Sequence, residues 1–554
     1  MNPSQVDAHG KAMLLVFLLG LPAILSLLHP GTVSGHDIQY HTVALGQFHE
    51  ALRAGEWFPR WAPDMAAGYG YPNFVFYPPL AYYLAMIPVW LGATYAGAWD
   101  IAIGAFLLAS GLTTYVLAAP LWGRVAGVVA GVAYMYAPYH LVVAYVKGAV
   151  PELLGMALWP VALLFLVRIH RGAGTRNVVG FAIVLAATLL AHSLSALLLA
   201  GMTLVHSVTL AALRRDPRPL VRVATATLLG LALAVFVWWP ALAESRLVQS
   251  NLMTIGYFNF AAHFVPVLDL VHSGWNYGAS GYPAQFSRSL GPAQWLGLLG
   301  ALVLFRRPGG RGERFALLVL ALLCLFLCVR LSAPLWEAIP LLAYLQFPWK
   351  FLAPAALAGS LLLGWLVAEV PVQARRPVAG LALALVLGFG VRQAHPWQQI
   401  MREEDFGTPA HVRELTFRAT GADVTHIYTS YLPKTAVLQP TPRSVPADGE
   451  GMVVEGEPGR LTVEARQAGM LRLHVYAFPG WRVEVDGERV PVTTAPESGF
   501  LALQLPVGRH EVTYAFGASP TRAASAIVSL LAWLGLLAWL AWRYRRRLRT
   551  RARA

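Results

Sequence analysis

The chain has 554 residues, of which 57% are hydrophobic and only 13% charged, with a mean hydropathy of +0.54. Repeated apolar runs near the length needed to cross a bilayer exclude a soluble fold and indicate a polytopic membrane protein. The formal charge of +14 does not imply nucleic acid as a partner, because the Lys and Arg residues fall in short clusters between apolar runs rather than on one accessible face.

The first apolar run, "AMLLVFLLGLPAILSLL", has no A-x-A-like cleavage site before His36, so it reads as a retained first span over 12–28. The basic clusters "RIHRGAGTR", "RRDPRPLVR", "RRPGGRGER", "ARR" and the tail "RYRRRLRTRARA" each close an apolar run, and all should face the cytoplasm. That constraint decides the segment at 78–95, "PPLAYYLAMIPVWLGATY". Counting it as a crossing would put every later basic loop on the wrong side, so it is expected as an interfacial or re-entrant helix on the outer side. About twelve crossings remain, near 12–28, 99–119, 125–139, 153–169, 178–193, 196–213, 222–242, 293–305, 314–330, 345–368, 378–393 and 521–542. Cys324 and Cys328 lie inside an apolar run and read as small packing groups, with no disulfide framework or zinc site.

The expected fold is therefore mainly α, with a transmembrane domain over 1–393 carrying large outer loops at 29–98 and 243–292. An irregular outer connector over 394–451 follows, rich in Pro and Thr towards its end. Residues 452–520 then alternate polar and apolar, as in "RLTVEARQ" and "WRVEVDGERVPV", with a hairpin signal at Asp486-Gly487 and a turn at Gly508. That pattern predicts an extracytoplasmic antiparallel β-sandwich of about seven strands, followed over 521–554 by a final transmembrane helix and a basic cytoplasmic tail.

Candidate functional residues cluster at the outer ends of spans. Asp37 and His41 in "HDIQYH" are four apart and share a face if the chain stays helical there, while His36 points elsewhere and is kept as a substrate-binding candidate. A partly desolvated carboxylate at a cavity mouth can act as a general base, and an adjacent imidazole can orient it or help hold a divalent ion. The same loop carries Arg60 and Asp64 among aromatics, prolines and glycines in "EWFPRWAPDMAAGYGYPNF". Lys147 and Glu152 in "YVKGAVPELL", His192 in "LLAHSLSALL", and Trp349 and Lys350 in "LQFPWKFL" fall on the same side under this topology. Each alone reads as an interfacial cap or a snorkelling lysine, but together they suit the binding and neutralisation of an anionic lipid phosphate.

The stretches "HDIQYH", "WAPDMAAGYGYPNFVFYPPLAYYL", "YVKGAVPE", "LQFPWKFL" and "FPGWRVEVDGERV" through "LPVGRHEVTYAF" resemble the GT-C superfamily of polyprenyl-phosphate-sugar glycosyltransferases. More narrowly, they are similar to the YfhO-like and "6-pyruvoyl-tetrahydropterin synthase-related" bacterial membrane proteins. The resemblance implies an inverting transferase in the cytoplasmic membrane that takes a lipid-linked sugar donor and a glycan, lipid or protein acceptor. In it, Asp37 stands at the position of the first-loop catalytic acid, while Lys147 and Lys350 match places where such families carry a basic residue. Many relatives show a clearer acidic pair, whereas here Asp64 or Glu152 must supply any second acid. A divalent cation, Mg or Mn, therefore stays open, with Asp37, His41 and Asp64 as its candidate ligands, and no other cofactor is expected. No soluble pterin-enzyme domain or zinc-binding histidine cluster is visible. The competing readings are a transporter or flippase of lipid-linked saccharide, which would place its polar groups near the bilayer midplane, and a non-catalytic cell-envelope assembly protein working through its β domain.

Overall fold

The apolar runs fold as helices in the computed structural model, which describes residues 3–29, 31, 33–172, 174–278, 286–306, 311–397, 412–413 and 430–551. Six helices are long and apolar enough to cross a membrane: Gln5–Leu28, Tyr95–Trp122, Val150–His170, Ser193–Arg214, Pro348–Glu369 and Pro520–Arg546. Three bent helix pairs raise the number to as many as nine: Arg124–Met135 with Pro138–Lys147, Arg218–Leu233 with Val235–Leu247, and Gly312–Cys328 with Arg330–Ala338. The remaining three of the twelve expected crossings fall on shorter helices, Thr175–Ala191, Pro292–Val303 and Arg375–Gly390. At about 1.5 Å per residue, the 12 residues of Pro292–Val303 reach only ~18 Å, well short of a ~30 Å hydrocarbon core. The segment expected as an outer helix forms Leu80–Trp90, eleven residues with Pro88 inside, also too short to span alone.

Local chemistry sets several of these ends. Thr94 caps Tyr95–Trp122 by accepting the Gly97 amide at 2.9 Å. Val150–His170 opens with Pro151 and Glu152 in its first turn and closes with Arg168 and His170 in its last, which matches the helix dipole at both ends.

By contacts the described chain divides into two units. The first comprises 1–42, 79–231 and 256–403. Here Leu352–Glu369 packs against Arg124–Met135, Pro292–Val303 and Arg311–Cys328, and Tyr95–Trp122 packs against Arg124–Met135 and Val150–His170. Cys324 and Cys328 are free and buried within it.

The second unit comprises 43–78, 232–255 and 404–554. Its described residues form nine antiparallel strands: β1 Ala447–Gly449, β2 Met452–Glu457, β3 Arg460–Ala465, β4 Gly469–Tyr476, β5 Trp481–Val485, β6 Glu488–Val490, β7 Thr493–Thr494, β8 Phe500–Leu505 and β9 Gly508–Phe516. They form two sheets, β1-β4-β8-β7 and β2-β3-β9-β5-β6, around inward side chains that include Leu461, Val463, Leu471, Leu473, Val483, Leu503 and Val512. Nine strands rather than about seven form because β1, β6 and β7 have only two or three residues, too few to carry a readable alternation; β1 also starts before the alternating stretch. The Asp486-Gly487 hairpin is present, with φ of 54° and 85° at its two central residues and Val485 paired to Glu488. The last helix, Pro520–Arg551, packs on Val235–Glu244, with Arg522 paired to Glu244 at 3.3 Å.

Candidate functional site

Residues 35–37 run against the end of the Val142–Lys147 π-helix. The His36 amide donates to the Val146 carbonyl at 3.2 Å, and the Asp37 amide donates to the Lys147 carbonyl at 2.7 Å. The approach demands two glycines. A Cβ on Gly35 would stand 2.9 Å from the Gly148 nitrogen and the Lys147 carbonyl, and Gly148 itself has φ of 62° with Ile38 packed against it. The sequence "GHD" is thereby pinned to "VKG", and Asp37 lies beside Lys147.

From there the helix Ile38–Arg53 begins, with the Asp37 carbonyl accepting the His41 amide at 3.0 Å. Asp37 is thus the residue before the first helical turn. Its residue surface is only half-buried, yet protein encloses its carboxyl group closely, the combination expected at the wall of a recess. Burial raises its pKa, assisted by Glu152, with Lys147, His36 and Lys350 working the other way. Its carboxylate makes no hydrogen bond or ion pair among the described residues. His36, expected to point elsewhere but kept as a substrate-binding candidate, also interacts electrostatically with Asp37; its Nε2 meets the Tyr277 carbonyl at 2.9 Å.

His41 sits deeper. Its ring lies against Tyr40, Tyr82 and Trp99, and Nδ1 is 3.0 Å from the Tyr82 hydroxyl. Burial, then the His192 ring, pushes its pKa down to about 3, so it is neutral at physiological pH.

Two lysines approach Asp37 from different elements. Lys147 is ion-paired to Glu152, which also accepts from the Tyr139 hydroxyl at 3.4 Å, while the ammonium lies 5.9 Å over the Tyr139 ring. Lys350, in the turn Pro348–Phe351, is 5% exposed and makes no hydrogen bond or ion pair among the described residues; its Nζ lies 5.5 Å over the Phe347 ring. Phe347 stacks on Trp349 at 4.7 Å, and Phe286 meets Trp349 edge-on at 5.2 Å and the His36 ring at 6.2 Å. An aromatic wall therefore runs from Lys350 to His36. His192 interacts electrostatically with Glu152, Lys350 and Lys147, but its Nδ1 is engaged as the cap of Ser193–Arg214, 3.2 Å from the Ser195 amide and 2.8 Å from its hydroxyl.

Eight of the ten candidates, namely His36, Asp37, His41, Lys147, Glu152, His192, Trp349 and Lys350, fall in the first unit. Arg60 and Asp64 fall in the second. Arg60 donates to the carbonyls of Phe74 and Phe236, each at 3.0 Å, and Asp64 accepts from Gln47 at 3.2 Å and from Arg413 at 2.8 Å. Among the described residues no group of three His, Cys, Asp or Glu side chains is placed to hold a metal ion, and Asp37, His41 and Asp64 do not form one. Tyr139 and Tyr82, which bind Glu152 and His41, escaped the sequence reading because nothing distinguishes them from the many aromatics of an interfacial belt.

Residues 74–400, more than half of the chain, match the sequence profile of the 6-pyruvoyl-tetrahydropterin synthase related domain, described as a membrane protein. The chain belongs to this family. It is a multi-pass membrane protein, and the matched segment holds Lys147, Glu152, His192, Trp349 and Lys350, while Asp37 precedes it. No curated protein matches the chain. Among solved structures, it is similar to ArnT from Cupriavidus metallidurans bound to undecaprenyl phosphate, at 13% identity and a TM-score of 0.43, covering 70% of this chain and 64% of that one. The arabinofuranosyltransferase AftD from Mycobacteria matches at 16% identity and a TM-score of 0.44, over 72% of this chain and 29% of that one. The oligosaccharyltransferase of Archaeoglobus fulgidus matches at 14% and 0.45, over 79% and 61%. The chain thus spans less than two thirds of the length of each.

Proposed function

We propose that the chain is a membrane glycosyltransferase of the GT-C type, moving a sugar from a polyprenyl-phosphate carrier to an acceptor on the outer face of the cytoplasmic membrane. The observation that carries this reading is the pairing of an uncommitted carboxylate, Asp37, with an uncommitted buried cation, Lys350, within electrostatic reach of each other. The other candidate acids are already engaged, Glu152 by Lys147 and Asp64 by Arg413. A buried ammonium without a partner is costly unless a ligand supplies the counter-charge, and a lipid phosphate at the membrane boundary supplies it.

In this reading Asp37 takes the proton from an acceptor hydroxyl as its oxygen attacks the anomeric carbon. The bond from that carbon to the carrier phosphate breaks, and the phosphate leaves with the electron pair beside Lys350 and Lys147. Attack opposite the leaving group inverts the anomeric centre. The neutral His41 steadies the helix start through Tyr82 rather than carrying charge. The donor set does not fit a resident Mg or Mn ion: Asp37 is a single carboxylate, its neighbour Glu152 is held by Lys147, and two lysines already bring positive charge to the place an ion would take.

The test uses purified protein with a lipid-linked sugar. Loss of a positioned base costs on the order of a hundredfold to ten-thousandfold, so Asp37→Asn should nearly abolish transfer, and His41→Ala should be milder. Because burial raises the Asp37 pKa, the ionised base is populated only above the usual carboxylate range, and the rate should climb with pH on an acid limb displaced upward. An Asn variant that turns over at the parental rate would remove the mechanism. Movement of intact donor across vesicles without sugar transfer would show a transporter instead.

A further inference from the structure

We propose that Arg443, with Arg413 beside it, forms an oxyanion-binding subsite in the second unit, suited to a phosphate or carboxylate group. The subsite is independent of the transferase reading and shares no residue with the Asp37 site.

In "APDMAAGYG", Ala66, Ala67, Gly68 and Gly70 all have positive φ, at 53°, 59°, 89° and 87°. Two alanines in the left-handed region are strained, and such strain persists only where surrounding contacts impose it. The arginines supply some of those contacts. The Arg443 amide donates to the Ala67 carbonyl at 2.9 Å, and a Cβ on Gly68 would lie 2.8 Å from the Arg413 Cδ and 3.1 Å from the Arg443 Cβ. The loop is bent so that both side chains pass over it.

The charge balance then leaves Arg443 short. Asp64 is the acid facing the pair, and its Oδ1 is taken by the Arg413 Nε at 2.8 Å while its Oδ2 accepts from Gln47 at 3.2 Å. Arg443 reaches the same Oδ1 only at 4.0 Å, beyond hydrogen-bonding distance. Its side chain is 4% exposed, yet none of its guanidinium N–H groups donates a hydrogen bond among the described residues. The other titratable groups it feels are Arg413, which repels it, and the phenols of Tyr69 and Tyr514, which burial keeps neutral. Among the described residues Asp64 is the one carboxylate within ion-pair distance of Arg443, and Arg413 holds the same oxygen more closely. The planar fork of Arg443, enclosed and donating no hydrogen bond among the described residues, matches the two-oxygen edge of a phosphate or carboxylate, whose binding would satisfy its donors.

Asp64 therefore acts as a positioning residue that holds Arg413 and competes with the ligand. That role gives substitutions of opposite sign. The full-length protein, purified in uncharged detergent, should bind inorganic phosphate in calorimetric titrations at constant ionic strength. Arg443→Gln should weaken that binding by at least about tenfold, the loss expected for a charge-assisted hydrogen bond. Asp64→Asn should tighten it, because the competing carboxylate is gone; a merely structural Asp64 would weaken it or leave it unchanged. If the Gln variant does not fold, Arg443→Lys, which keeps the charge and loses the fork, should bind more weakly than the parent. Nanodiscs identify the source of the anion. Phosphate binding lost in phosphatidylglycerol discs but kept in phosphatidylcholine discs assigns the site to an anionic lipid headgroup, and binding kept in both assigns it to a soluble or glycan-borne anion. A parental protein that binds no phosphate in detergent, or Arg443 variants that bind it as the parent does, overturns the proposal.

Discussion

Lys350 and Lys147 carry the same charge but stand in opposite chemical situations. Lys147 is compensated by Glu152, so its removal would strand a buried carboxylate and damage the fold. Among the described residues Lys350 has no ion-pair partner, so its removal breaks no direct pair. Lys350→Met is accordingly expected to keep or raise thermal stability while weakening donor binding by roughly tenfold or more, the scale of one charge-assisted hydrogen bond. Paired melting curves and donor titrations on the purified variant check both halves, and unchanged donor affinity in a stable variant would separate Lys350 from the carrier phosphate. Asp37 has a related signature in stability. Since burial raises its pKa, the contribution of its protonated form is full at acid pH and fades as pH rises through that raised value. Such distinctions were not legible in the sequence. "YVKGAVPE" and "LQFPWKFL" show a lysine each in apolar surroundings, but whether a lysine is paired depends on neighbours brought by folding. Asp64 makes the same point, because its ion-pair partner Arg413 is 349 residues away.

At the scale of elements, what the sequence made readable was whatever repeats within a few residues. The apolar runs became helices, and the strong alternation of β3, β4 and β5 became strands with buried and exposed residues in turn. The bend angles were not readable: Arg124–Met135 and Pro138–Lys147 meet at 48°, and Gly312–Cys328 and Arg330–Ala338 at 91°. Prolines near a break do not by themselves mark one, since Pro120 and Pro160 lie inside continuous helices. The junction at Gly148 shows what such a break accomplishes. The π-helix ends there in a left-handed residue, the chain restarts as Val150–His170, and the exposed carbonyls of Val146 and Lys147 receive the amides of His36 and Asp37. Gly148→Ala meets both a left-handed backbone, costing ~1–2 kcal/mol, and a Cβ only 2.8 Å from that of Ile38. The expected outcome is a lower melting temperature together with a fall in transfer rate larger than the stability loss explains, because Asp37 lies in the segment that this junction holds. A variant that melts lower but transfers sugar at the parental rate would show that Asp37 does not depend on this junction.

For the molecule as a whole, the decisive quantity is the sidedness of charge. On the twelve-crossing map the cytoplasmic side holds 22 Lys and Arg against 4 Asp and Glu, while the outer side holds 20 against 24. On this map the basic excess lies with the short loops and the tail and the acids lie with the long outer segments, the distribution the positive-inside rule expects. On that map an even number of crossings would return the "RYRRRLRTRARA" tail to the cytoplasm and leave the β domain outside. The helix count from length and apolarity alone, six to nine, does not fix this parity, so a direct measurement is needed. Glu488 offers the place, being exposed in the short strand β6 just after the Asp486-Gly487 turn. Cys324 and Cys328 are buried and give little background labelling. In cells whose outer membrane, where one exists, has been made permeable, Glu488→Cys should react with a membrane-impermeant thiol reagent before lysis and to the same extent after it. A cysteine placed at exposed Arg546, in the basic tail, should react only after lysis. The reverse pattern would invert the topology and place the β domain in the cytoplasm. It would also turn the span ends that carry Asp37 and Lys350 to the inner face, away from the side on which the proposed chemistry depends.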